Sequence, residues 1–293
     1  MKVSICVPAY KQTEFLKECL DSIANQTYSN YELIVTDDTS GDIVANLVQN
    51  YKDIFGDRLK YYHNEKPHGS PGNWNYSLDK ATGDLVQLMH HDDFYSNPDS
   101  LQLFVDRALK NPGINIFASE VYSKNAATGE LTITRLDNHN LNILKNDFKR
   151  IFYANLIGPP SVFMLRRNKI RFDSRMKWLV DMEYYFRIFE KFKKWEYINI
   201  PLVTSINNAN HNVTNECIEN PDVEIFEHLY FYNKHFKSLF PSIRMIVRFI
   251  KVFRNFGVFS PAQLDAFKRD QKVPFFMYCL TYLLRYHHVF KQD

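Results

Sequence analysis

The chain has 293 residues, 45% hydrophobic and 24% charged, which suits one large α/β domain with an appendage, or two small domains, and excludes a disordered chain. Its net charge of +3 hides a split. Residues 234–293 hold eleven Lys/Arg against three Asp, a net +8, whereas the first 233 carry 25 Lys/Arg and 30 Asp/Glu, a net −5. The four cysteines (Cys6, Cys19, Cys217, Cys279) show no CxxC spacing, and Cys6 inside an apolar run suits a reducing cytoplasm. The opening run VSICVPAY leaves no room for a signal peptide, and no uncharged apolar run reaches the roughly 20 residues needed to span a bilayer.

Residues 3–8 (VSICVP) form a continuous apolar run, the pattern of a parallel strand buried on both faces. Thr13 is a candidate N-cap for a helix that gathers Phe15, Leu16, Cys19, Leu20 and Ile23 on one side. A second strand over 32–36 ends at Asp37-Asp38-Thr39-Ser40, and a helix over about 42–55 follows. A third strand is expected over 59–62. The loop NEKPHGSPGN then feeds a helix that starts near Trp74 and stops at Gly83. The apolar run 85–89 predicts a fourth strand ending at His90-His91-Asp92-Asp93, with Pro98 and a helical pattern beyond. Further on, a strand is expected over 115–122, a polar loop over 123–140, and a helical stretch over 147–154. A short strand over 161–165, a helix over 180–192 and a last strand over 197–205 complete the pattern. Such alternation points to an open α/β sheet with its ligand crevice at the C-terminal ends of the strands.

Asp92-Asp93 is the most informative pair. Two adjacent carboxylates leaving a buried strand disfavour joint ionisation. Oxygen ligands of this kind suit Mg²⁺ or Mn²⁺ carrying a substrate diphosphate. For a lone pair of Asp, a solvated turn with a helix cap would serve as well. Neither GxGxxG nor GxxxxGK[ST] occurs, which disfavours a dinucleotide fold or a P-loop. Asp37-Asp38 is placed to read a base or ribose edge, or simply to cap the next helix. Tyr10, in the first strand-to-helix turn, is placed to flank a base or merely to pack.

Three ordered blocks carry a resemblance. The first is VSICVPAYKQTEFLKECLDSIANQTYSNYELIVTDDTS, the second GSPGNWNYSLDKATGDLVQLMHHDDFY, and the third WLVDMEYYFRI. Together they resemble family 2 glycosyltransferases, inverting enzymes of the GT-A fold that use nucleotide sugars, over about residues 3–205. The resemblance puts Pro8, Tyr10 and Asp38 on positions lining the donor base and ribose, with Ala9, Asn73 and Asp92 also on the donor side. It puts Asp92 and Asp93 on the metal and diphosphate site, and Asp181 on the general base with Arg187 as its helix companion. His211 matches a family position that approaches the diphosphate, although it also suits an ordinary surface loop. The chain departs from the family pattern at three places. His90 stands where many members have the first acid of Asp-x-Asp-Asp, so metal ligation rests on Asp92 and Asp93 with His90 as a further ligand. Trp74 replaces an Arg that approaches the phosphates, and Val180 replaces an acid before the base.

The run PSIRMIVRFIKVFRNF (241–256) places Arg244, Arg248, Lys251 and Arg254 near one helical face, while Ile243, Ile246, Val247, Ile250, Phe253 and Phe256 fill much of the rest. A second run is uncharged from Val273 to Leu284 and rich in Tyr and Phe. Both predict helices at an interface with anionic lipid, or else packed on the body or on a partner subunit. No nucleic-acid signature accompanies the basic excess.

These features predict a GT-A-type mixed sheet flanked by helices over residues 1–235, with a nucleotide half (1–110) and an acceptor half (111–235). A basic helical segment follows over 236–293. The resemblance implies metal-dependent, inverting transfer from a nucleotide sugar, a UDP-sugar above all, to a glycan or lipid-linked acceptor in bacterial surface-polysaccharide synthesis. The metal would be Mn²⁺ or Mg²⁺ and the location cytoplasmic, peripheral at the inner membrane face. Two rivals stand beside it. One is a catalytically silent sugar-nucleotide-binding scaffold of the same fold, and the other a nucleotidyltransferase, which the glycine-free first turn disfavours.

Overall fold

The computed structural model describes residues 1–207, 217, 220–236 and 241–289. The chain forms two compact units, residues 1–175 with 180–210, and residues 176–179 with 211–293.

The first unit is built on one sheet. β1 (Val3–Ala9), β2 (Tyr31–Asp37) and β4 (Leu85–Leu88) are buried at every position, as parallel strands covered on both faces must be. With β3 (Leu59–His63) they form a parallel half in the order β3-β2-β1-β4. The sheet continues with β8 (Phe163–Arg166), β6 (Ile116–Asn125), β9 (Trp195–Asn207) and β5 (Asp93–Tyr95), in that order. β8 runs antiparallel to both neighbours, β6 and β9 run parallel, and β5 is antiparallel to β9. β7 (Leu131–Thr134) pairs with β6 off this path. The mixed α/β class is therefore as expected.

The helices of this unit are α1 (Thr13–Ala24), α2 (Ile43–Gln49), α3 (Lys52–Phe55), α4 (Gly72–Lys80), α5 (Ser100–Lys110), α6 (Asn138–Asn146) and α7 (Val180–Phe192). Several differ from the sequence expectation. Thr13 is the first helical residue of α1, and the cap position belongs to Gln12, which makes no side-chain cap. The stretch 123–140, expected as polar loop, holds the end of β6, all of β7 and the start of α6, whose N-cap is Asp137. β7 is exposed at all four positions, so it has no buried face to produce an alternating pattern. Residues 148–152 form a 3-10 turn.

The N-terminal ends of the strands are locked by one buried acid. Glu32 accepts from Lys2 Nζ (2.7 Å), Lys60 Nζ (2.6 Å), Ser4 Oγ (2.6 Å) and the backbone N–H of Thr82 (2.7 Å). Burial pushes its carboxyl up, but these donors outweigh burial and hold it well below the usual range. Gly83 crosses this end so closely that a Cβ would lie 2.8 Å from Lys2 O and Ser4 N. The C-terminal ends, opposite, are where the notable side chains collect.

The second unit contains α8 (Pro221–His235), α9 (Ile243–Asn255), α10 (Pro261–Phe267) and α11 (Phe275–Val289). α8 groups with these tail helices. Tyr232, Phe249 and Phe276 form an edge-to-face aromatic cluster with centroids 5.5–6.0 Å apart. In this unit Glu227, 2% exposed, accepts from the backbone N–H groups of Lys177, Trp178 and Leu179 at 2.6–3.2 Å. Of the four cations expected near one helical face of α9, three are exposed and one is not. Arg248 turns inward, and its Nε–H donates to His228 Nε2 at 3.0 Å. Phe253 is buried, while Ile243 and Val247 are exposed. No helix among the described residues is long and apolar enough to cross a membrane.

Candidate active site

Four chain segments meet at the C-terminal ends of β1, β2 and β4. The first is the turn after β1. Pro8 and Ala9 are buried in the strand, and Tyr10 is exposed beside Lys11. Lys11 and Gln12 both adopt positive φ (55° and 42°), a conformation costly for residues other than Gly. Thr39 holds this turn, accepting from Lys11 N–H at 2.6 Å, while its own N–H donates to Asp37 Oδ1 at 2.7 Å.

The second segment is the end of β2 with the loop after β3. Asp38 is buried and accepts from Asn64 Nδ2 (2.7 Å) and from the N–H groups of His68 (3.1 Å) and Gly69 (2.8 Å). Asn73 is also buried; its amide donates to Thr36 O (2.9 Å) and Ala9 O (3.3 Å) and accepts from Asn64 (3.1 Å). Both side chains tie the loop 64–73 to the strand ends, so their polar atoms serve the walls of the crevice.

The third segment, after β4, carries the acids. Asp93 is 2% exposed. Burial pushes its carboxyl well above the usual range; the charges of Asp92 and Asp181 push the same way, and hydrogen bonds from Ser161 and Ser205 oppose them. The Ser161 hydroxyl donates to Asp93 Oδ2 and accepts from the His90 N–H at 3.0 Å. Gln87 Nε2 grips the Ser161 carbonyl at 2.6 Å, and the Tyr95 hydroxyl donates to Gln87 Oε1 at 2.6 Å. A buried relay, Tyr95–Gln87–Ser161–Asp93, thus lies under the acids. Sequence reasoning missed Ser161, because its partner is 68 residues away and nothing in the spacing announces it.

His90 completes the cluster. Its Nδ1 lies 4.0 Å from Asp93 Oδ2, and burial pushes its imidazole down to about 4, which leaves a neutral ring with a lone pair. One ligand atom each from His90, Asp92 and Asp93 fall within 4.8 Å of one another. His90 Nε2 is buried with no hydrogen-bond partner among the described residues. Two carboxylates and one neutral imidazole suit a divalent cation such as Mn²⁺, and two like charges this close call for one.

The fourth segment is the start of α7. Asp181 occupies its second position, inside the helix rather than at the cap. Burial pushes its carboxyl up to about 7, and Oδ1 is shut from solvent without a hydrogen-bond partner among the described residues. Such an oxygen is an acceptor waiting for a proton donor. Its charge reaches Asp93, so the two acids share one site. The helix below is fixed by Tyr185, whose hydroxyl donates to Gly158 O at 3.0 Å, and by Tyr184, stacked on Phe172 at 4.0 Å. Phe172 meets Trp74 at 5.1 Å, and Trp74 meets His90 at 4.6 Å. Trp74 therefore joins the acid cluster to the Asp181 helix through packed rings. Arg187 is not paired with Asp181: it forks onto Glu183 (2.7–2.9 Å) and donates to Arg171 O (2.6 Å). His211 lies outside the described residues.

Comparison with known proteins is consistent with this geometry. The family model described as glycosyl transferase family 2 matches residues 4–173. A GalNAc(5)-diNAcBac-PP-undecaprenol beta-1,3-glucosyltransferase from Campylobacter jejuni is 39% identical over 93 residues, 31% of this chain and 30% of that enzyme. The chain thus spans under a third of that relative's length. Among solved structures, S. aureus TarS 1–349 in complex with UDP-GlcNAc superposes with a TM-score of 0.61 at 18% identity, covering 91% of this chain and 84% of that one. A mannosyltransferase from Pyrobaculum calidifontis in complex with GDP-Man and Mn²⁺ gives a TM-score of 0.60 at 16% identity, covering 99% and 80%. At these identities the likeness speaks to the fold, which is GT-A. Since the family model spans more than half of the sequence, from β1 through the acid cluster to Asp173, the chain belongs to glycosyl transferase family 2.

Proposed function

We propose that the protein is an inverting glycosyltransferase that moves a sugar from a nucleotide-sugar donor, a UDP-sugar, to a glycan or lipid-linked acceptor of a bacterial cell surface. The observation that carries this reading is Asp181: a carboxyl raised to about 7, with one oxygen lacking a partner, within electrostatic reach of the acid cluster. A carboxylate poised near neutrality is suited to take a proton from an attacking hydroxyl. The relative's undecaprenol-diphosphate-linked acceptor supports the acceptor class, and the UDP-GlcNAc complex of TarS supports the donor class.

In this reading Pro8, Ala9 and Tyr10 line the donor nucleoside, while Asp38 and Asn73 shape that wall by fixing the loop 64–73. Asp92 and Asp93, with His90, would hold Mn²⁺ or Mg²⁺, which when bound neutralises charge on the leaving diphosphate. Ser161 keeps the Asp93 carboxylate oriented, and Trp74 keeps His90 in place by packing on its ring. Asp181 receives the proton of the acceptor hydroxyl as that oxygen attacks the anomeric carbon from the face opposite the nucleotide. The reading includes a location at the inner face of the membrane, in peripheral contact with anionic lipid, where a lipid-linked acceptor would be met.

The test is donor turnover. Nucleotide sugars are first ranked by thermal shift with and without Mn²⁺, since a bound donor raises the midpoint by mass action. With the best donor, Asp181→Asn should lower kcat about a thousandfold and leave donor Kd within twofold. Loss of donor binding with kcat retained would make Asp181 a donor ligand instead of the base. Donor binding without turnover in the wild-type protein, whichever acceptor is offered, would favour the silent scaffold.

A further inference from the structure

Within the second unit, α9 buries Met245, Phe249, Val252 and Phe253. What it leaves outside is not an ordinary polar face. Ile243 is 80% exposed and Val247 57%, with Ile250 half-buried beside them. At 3.6 residues per turn these three aliphatic side chains span an arc of about 60°. Arg254 falls inside that arc, and Lys251 and Arg244 lie about 40° and about 60° beyond one side of it; all three cations are exposed. The helix contains no acidic residue. The outward face of α9 is thus aliphatic and cationic at once.

We propose that this face docks on an anionic lipid surface, with Ile243, Val247 and Ile250 among the headgroups and Arg244, Lys251 and Arg254 at the level of the phosphates. Long cationic side chains lie along apolar surface while their charged ends stay at a polar boundary, which is the mixture seen here. Charge complementarity selects this occupant. A second copy related by a twofold axis would set three cations against three with no acid on the face to answer them. A nucleic-acid strand would answer the cations, but the face offers no ring for a base to stack on and exposes aliphatic groups that a phosphate backbone does not cover. The outward strip of α11 (Phe275, Tyr282, Leu283, Tyr286) is also apolar but has no comparable charge pattern, and it takes no part in the proposal. The inference sharpens the membrane contact of the proposed function and uses no residue of the donor site.

The experiment is co-sedimentation of the full chain with phosphatidylcholine vesicles, with and without phosphatidylglycerol, at low and high salt. Binding is expected to the anionic vesicles alone and to weaken with salt. Arg244→Gln, Lys251→Gln and Arg254→Gln together should weaken it about a hundredfold, or about fivefold per residue. Val247→Asp should weaken it at least tenfold. Arg244→Lys with Arg254→Lys should keep it, since retained charge and not helix disruption is then what matters. Nucleotide release from a soluble UDP-sugar should stay at the wild-type rate in every variant, so a failed transferase reading and a failed docking reading give different results. The proposal is overturned by equal binding to neutral vesicles, by no vesicle binding at all, or by a triple variant that binds like wild type. It is also overturned if light scattering finds a dimer that Val247→Asp dissociates, or if an oligonucleotide binds the face more tightly than the anionic vesicles do.

Discussion

At the scale of single residues, the site is a set of acids that the fold keeps uncomfortable. Asp181 has a raised folded-state value, about 7 against 3.8, so folding favours its protonated form. The sign follows directly: no stability is lost below the unfolded value, and stability drains as pH climbs from about 4 towards 7 and the buried carboxyl must ionise. The ionised form required of a base is thus the less stable one. Asp181→Asn should therefore match wild type in melting temperature near pH 4 and exceed it above pH 7, as measured by calorimetry across that range. An unchanged difference across the range would mean that burial does not perturb this carboxyl. Ser161 acts on Asp93 from behind. Ser161→Ala should weaken Mn²⁺ binding in the presence of UDP about 10- to 100-fold, as read by Mn²⁺ resonance spectroscopy, and leave metal-free nucleotide affinity unchanged. Equal Mn²⁺ affinity would reduce Ser161 to a packing residue. Asp92 and Asp93 could be singled out in the sequence because they follow a buried strand, and Asp181 because of the resemblance carried by WLVDMEYYFRI. Ser161, Gln87 and Tyr95 were not, because a buried hydrogen bond between distant segments leaves no local pattern.

Among the elements, legibility followed burial. β1, β2, β4 and α7 have continuous buried runs or a buried helical face, and their expected bounds fall within a few residues of those observed. β7, exposed throughout, and β5, only three residues long, carry no such run. The Arg187 pairing shows a different limit. The resemblance made it a companion for Asp181, whereas Glu183, one turn before it and fully buried, offers the nearer carboxylate. The strands are also stabilised away from the chemistry, at the Glu32 cluster. Glu32→Gln would leave Lys2 and Lys60 facing a neutral group and should cost about 2 kcal/mol in urea unfolding. Because the folded Glu32 value is depressed, that contribution is present above the usual Glu range and is lost as pH falls below it. Donor affinity should not change, since the cluster lies at the opposite ends of the strands. A shift in donor affinity as large as the loss of stability would contradict that separation.

On the scale of the whole molecule, the charge split visible in the sequence separates a mildly acidic body from a basic tail. The compact units divide the chain near residue 210, so α8 lies with the tail helices. The amphipathic pattern of 241–256 was correctly seen as helical, but its inward side could not be chosen from periodicity alone. Aromatic partners chose it: Phe249 packs on Tyr232 and Phe276, drawing one side inward and leaving cations and aliphatics together outside. A test by ionic strength separates the parts. Vesicle binding through α9 should fall with added salt, while turnover of a soluble donor and acceptor should not follow it.

The strand order has one more consequence. β4 and β5 are neighbours in sequence, yet β8, β6 and β9 stand between them in the sheet. Laid flat, four strand steps would separate them by about 19 Å, while the five links from Leu88 to Asp93 reach at most about 18 Å even when fully extended. They are not extended, because the Asp93 N–H closes a turn onto the His90 carbonyl at 3.0 Å. The sheet must therefore curl until its two flanks come within reach of that tether. Residues 89–92 bridge the two flanks in a folded turn, tied again by the His90 N–H on the Ser161 hydroxyl at 3.0 Å. The acid cluster is thus brought together by the same curl of the sheet that sets β5 beside β9.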